Sequence, residues 1–70
     1  MEKVYVIFGY LVRTQRMKYE ISTASLAKKM GMTDSGIRGV ELGAHRLPFH
    51  KVVKLSKILN INLEDIKNIS

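Results

Sequence analysis

The segment Thr23–Glu41, T-A-S-L-A-K-K-M-G-M-T-D-S-G-I-R-G-V-E, constrains the fold of this chain more than any other. Leu26, Met30, Ile37 and Val40 stand where two short helices joined by a tight turn can direct them into one core. Ala27 is small enough for a second helix to cross close over it. Gly31 can take the positive φ that ends the first helix, and Met32 beside it can plug the core. Ser22 suits the cap of a helix over Thr23–Met30, and Thr33 the cap of one from about Asp34 to Leu42. Two helices crossing on a short glycine-containing turn make a helix-turn-helix, whose second helix is shaped for the major groove of DNA.

Seventy residues with 46% hydrophobic content make a single globular domain, 1–70, close to the lower limit for a self-sufficient core. The absence of cysteine excludes disulfides and thiolate metal sites and fits a reducing compartment. A net charge of +6 and a pI near 9.9 favour a polyanionic partner. The apolar run Val4–Val12 is too short to span a bilayer. Glu2 spoils a basic leader and no small-x-small cleavage site follows, so a cytoplasmic protein is expected, with no membrane partner.

Elsewhere the chain reads as helix. Val4, Ile7, Phe8, Leu11 and Val12 repeat at the spacing of one helical face over about Lys3–Tyr19, with Gly9 costing that helix about 1 kcal/mol. Gly43 is expected to end the third helix. Pro48 suits the first turn of a fourth, with Val52, Leu55, Ile58 and Leu59 on one face. Asn60 suits its left-handed cap, and Asn62 with Asp65 suggests a capping box for a last helix over Leu63–Asn68. The expected architecture is all-α, a compact bundle of five short helices with the helix-turn-helix at about 23–42.

With the helices so arranged, the chain resembles the small phage-repressor and Cro-like helix-turn-helix family over about Phe8–Ile66. Leu26-Ala27, Gly31, Thr33, Ile37, Glu41, Gly43, Pro48 and the L-S-K-I-L-N-I run at Leu55–Ile61 carry the likeness through their joint spacing. The resemblance implies a lambda-repressor-like fold and a buried, architectural ion pair between Arg16 and Glu41. It also implies a recognition helix over about 34–42, and a following loop lying against the DNA backbone.

On that basis Asp34, Ser35 and Arg38 are the candidates for base readout. Asp34 departs from the glutamine, neutral or basic residue usual there. It either accepts from cytosine N4 or interacts with the helix dipole. Arg38 has three readings: guanine contact, phosphate contact or solvent exposure. Gly36 either lets the helix approach DNA closely or is simply tolerated, and Gly39 further weakens the helix. Ser22, Thr23, His45, Arg46, His50 and Lys51 are backbone-contact candidates, although Thr23 reaches less far than the glutamine common at its position. Lys28, with Lys29, either joins them or forms solvated surface. His45 and His50, lacking acidic or sulfur partners nearby, make a poor metal site, so no metal or cofactor is expected.

No nucleophile–base–acid set or phosphate-cradling glycine loop is present, and an enzyme is not expected. The leading expectation is a sequence-specific regulator binding double-stranded DNA as a homodimer. It would act as a steric repressor or as an activator touching RNA polymerase. Tyr5, Val6 and Tyr10, off the main stripe of the first helix, together with Ile66 and Ile69, suggest the apolar interface. The alternative is a protein-interaction module on a drifted helix-turn-helix fold, favoured by Asp34 and the two glycines of the third helix.

Overall fold

The computed structural model describes residues 3–69, which form five helices joined by short turns: α1 (Lys3–Lys18), α2 (Thr23–Met30), α3 (Asp34–Glu41), α4 (Phe49–Leu59) and α5 (Glu64–Ile69). The core is drawn from all five. Phe8 and Val12 of α1 meet Leu26, Ala27 and Met30 of α2, Ile37 and Val40 of α3, Leu55 and Leu59 of α4, and Ile66 of α5. Burying each of the larger side chains contributes about 1.5–3 kcal/mol. Ile7, Leu11, Met32, Val52 and Ile58 pack against the core from its margin. Val4 departs from the expected stripe: it sits at the open end of α1 and is 44% exposed.

Gly9 is a contact surface rather than only a weak point of α1. A Cβ there would overlap the carbonyl oxygen of Val40 and stand 2.8 Å from that of Glu41. The bare backbone of α1 therefore rests on the last turn of α3, and the helix-propensity cost of glycine is the condition of that approach.

Four helices end in one way. Among the described residues, the positive-φ positions are Glu20, Gly31, Gly43 and Asn60, after α1, α2, α3 and α4 in turn. Each is followed by a residue whose N–H returns to a carbonyl in the last helical turn: Ile21 to Arg16 (3.0 Å), Met32 to Ala27 (2.9 Å), Ala44 to Gly39 (3.0 Å) and Ile61 to Ser56 (2.8 Å). This is the Schellman closure, and an apolar residue follows each left-handed position, as that motif favours. Ser22 Oγ and Thr33 Oγ1 accept from the N–H groups of Ser25 and Gly36, both at 3.0 Å, capping α2 and α3.

Three expectations are corrected. Pro48 is the N-cap of α4 rather than part of its first turn. Asn62 Oδ1 accepts from the N–H of Glu64 at 3.0 Å, so α5 starts one residue later than its capping signal suggested. Ile66 is buried, 8% exposed, because α5 folds back onto α1, so it belongs to the core and not to an exposed apolar patch. Of the other residues in that patch, Tyr5 is half-buried, Val6 and Tyr10 are exposed, and the side chain of Ile69 lies outside the described residues.

Candidate nucleic-acid interface

The outward face of α3 follows from its periodicity. Ile37 and Val40 anchor the inner face, which leaves Ser35, Arg38 and the capping Leu42 exposed and Asp34 half-buried. Gly36 is buried, with its missing Cβ directed at Thr33 Oγ1 and the Met32 methyl. It faces the turn, so it cannot serve close approach to a groove. Arg38 Nη2 lies 3.2 Å from Asp34 Oδ2, an i,i+4 pair across the exposed surface. Asp34 Oδ1 is buried without a hydrogen-bond partner. Two of the candidate readers are thus joined to each other, with one carboxylate oxygen left unused.

Beside this face an open cleft of about 560 Å³ lies between the C-terminal half of α1 and the helix-turn-helix. Arg13 and Arg16 line it from α1, Ser22 and Thr23 from the start of α2, and Arg38, Glu41 and Leu42 from α3. Arg16 forms its floor. Its Nε and Nη2 donate to the Glu41 carboxylate at 2.6 and 3.1 Å, and Nη1 donates to the carbonyl of Ile21 at 2.9 Å. The Glu41 hydrogen bond raises the Arg16 pKa above its ordinary value against the opposing effect of burial, and the charges of Glu41 and Asp34 add to it. One guanidinium so ties α1, the turn after it and α3 together. Ser22 Oγ accepts its capping bond and keeps its O–H free to donate.

The family model described as helix-turn-helix matches residues 12–66. The chain belongs to this phage-repressor-like helix-turn-helix family. Its members are DNA-binding regulators, generally without enzymatic activity. Comparison with curated proteins and with solved structures gives no match.

The remaining candidates in this helix-turn-helix protein are dispersed. Lys28 and Lys29 are exposed at the C-terminal end of α2, away from Ser22 and Thr23 at its start. His50 is exposed and Lys51 half-buried in the first turn of α4. Arg46 does not simply extend into solvent: its guanidinium lies over the Tyr5 ring, 5.5 Å from the centroid. His45 packs on Gly39, where an added Cβ would meet its Nδ1 at 2.7 Å. No group of three potential metal ligands occurs among the described residues. No described helix is long and apolar enough to cross a membrane.

Sequence reasoning missed Arg13 as a cleft residue and missed the Asp34–Arg38 pair. Both signals were present. Arg13 precedes Arg16 by one helical turn, and Asp34 precedes Arg38 at the spacing favoured for helical ion pairs. The Tyr5–Arg46 stack and the Gly39–His45 contact join residues far apart on the helical pattern and had no local signal.

Proposed function

We propose that this protein is a sequence-specific transcriptional regulator that inserts α3 into the major groove of double-stranded DNA as a homodimer. The carrying observation is the polar outward face of α3 beside the arginine-lined cleft. Arg38 donates to a guanine edge, Ser35 serves either base-edge or sugar-phosphate contact, and Asp34 accepts from cytosine N4 while directing Arg38. Ser22, Thr23 and Arg13 hold one phosphate at the cleft. His45, His50 and Lys51 face the neighbouring backbone, Arg46 reaches it from its seat on Tyr5, and Lys28 adds a peripheral contact.

Dimerisation draws on apolar side chains left in solvent outside the cleft, among them Val6 and Tyr10 in the first half of α1, and Phe49. A two-fold pair would set two recognition helices about 34 Å apart. Bound so, the protein represses by occupying the promoter or activates by touching RNA polymerase from the cytoplasmic DNA it binds.

Titration of random and of selected duplexes at two salt concentrations tests this reading. Affinity should fall steeply with salt on both and favour the selected duplex. Absence of salt-dependent binding would overturn it in favour of a protein-interaction module. Sedimentation should show dimer on DNA; monomer alone at high micromolar concentration, with and without DNA, removes the dimer.

A further inference from the structure

Gly39 occupies a place on α3 where a side chain would be expected to face outward. It follows Ser35 by four residues, so the two share an edge of the helix away from Ile37 and Val40. Its missing side chain is replaced from elsewhere. The Schellman closure of α3 returns the N–H of Ala44 to the Gly39 carbonyl at 3.0 Å, which carries the next residue back alongside the helix. There the His45 ring takes the vacant space. A Cβ on Gly39 would lie 2.7 Å from His45 Nδ1 and 3.4 Å from His45 Cβ and Cγ. Nδ1 is therefore the ring nitrogen nearer Gly39, which leaves Nε2 as the farther of the two. His45 remains exposed.

We infer that His45 is a base-reading residue that stands in for the side chain absent at Gly39, with an N–H at Nε2 donating to N7 or O6 of a guanine. This rests on the proposed entry of α3 into the major groove, and it changes the role of His45 from backbone contact to specificity. Imidazole can present an N–H at Nε2 whether neutral or charged, and the guanine major-groove edge offers two adjacent acceptors. The arrangement also accounts for glycine inside a short helix: a Cβ at 39 would stand 2.7 Å from Nδ1 and oblige the ring to shift.

The test uses the full chain as wild type, His45→Ala, Gly39→Ala and the double variant, after thermal unfolding has established that each folds. Wild type is first used to select a motif from randomised duplexes. Each protein is then titrated against that duplex, and against its single-base-pair variants, at two salt concentrations. His45→Ala should lose about tenfold preference at one guanine while its salt slope stays unchanged. Gly39→Ala keeps the imidazole but displaces it, and should lose the same preference; the double variant should be no worse than either. Uniform weakening by His45→Ala, with a salt slope shallower by about one, identifies a phosphate contact and overturns the inference. Gly39→Ala retaining the preference also overturns it. Should Gly39→Ala not fold, His45→Ala alters only an exposed side chain and decides alone. A wild type that binds DNA but selects no motif overturns sequence-specific reading itself, and with it this inference. A selected motif indifferent to His45 overturns the inference alone.

Discussion

Helix α3 carries two arginine–carboxylate pairs that share a chemistry and differ in almost everything else. On its inner flank Glu41 holds Arg16 of α1 through two hydrogen bonds, with side-chain exposures of 8% and 16%. On its outer face Asp34 meets Arg38 at 3.2 Å, with exposures of 41% and 68%. The first pair joins distant parts of the chain and is largely withdrawn from water at the edge of the cleft, so losing one partner leaves a poorly solvated charge. The second is local, solvated and worth little to folding, so its partners can be exchanged for a ligand at small cost. Burial separates a clamp from a contact that a nucleic acid can replace.

Removing the inner acid should have the largest effect. Glu41→Ala is expected to cost about 3–5 kcal/mol, enough to remove much of the stability of so small a domain. Denaturant unfolding measures it, and a variant melting within a few degrees of the parent would erase the contrast. Arg38→Ala should do the reverse, leaving unfolding nearly unchanged while weakening binding to a selected duplex by about 1–3 kcal/mol. If its stability loss matched that of Glu41→Ala, the outer pair would be a second clamp.

A smaller effect sharpens the inner side. Glu20 holds φ +56 at the end of α1, immediately before the Ile21 carbonyl that Arg16 grips. Relief of the left-handed cost by Glu20→Gly, less the entropy of glycine in the unfolded chain, should raise stability by about 0.5–1 kcal/mol. Calorimetry would detect it, and a loss of stability would mean that the Glu20 side chain contributes more than its backbone costs. The smallest change in folding should come from Asp34→Ala. It gives up an exposed pair of about 0.3–0.5 kcal/mol and an interaction with the helix N-terminus, but also removes the unpartnered Oδ1. Random-duplex affinity should nevertheless rise, because a negative charge beside phosphates is gone. Unchanged affinity on titration would separate Asp34 from the DNA surface.

The legible parts of the sequence were those encoded within a few residues. Ser22 and Thr33 announced their caps, Gly31 and Asn60 their left-handed turns, and Leu26, Met30, Ile37 and Val40 their shared core, because each signal operates over a single turn of helix. Readings that depended on how helices cross fared differently. Gly9 and Gly39 looked like defects in propensity and are contact points, one for a backbone and one for an imidazole. Ile66 looked surplus and is core, since nothing near it in sequence tells that α5 folds back on α1. The candidate site divides along the same line: its α3 residues could be named from spacing, whereas the cleft joining them to Arg13 exists only once α1 is in place.

The seat of Gly9 on the last turn of α3 has a mechanical consequence. Two backbones in direct contact, with no side chain between them, leave nothing soft enough to absorb a relative rotation. With Arg16 gripping Glu41 two turns further along α1, a backbone contact and an ion pair both close on the last turn of α3. A displacement of α1 at these contacts would be passed directly to the C-terminal turn of α3. A subunit seated on the outer face of α1 would aim this helix without any hinge in between.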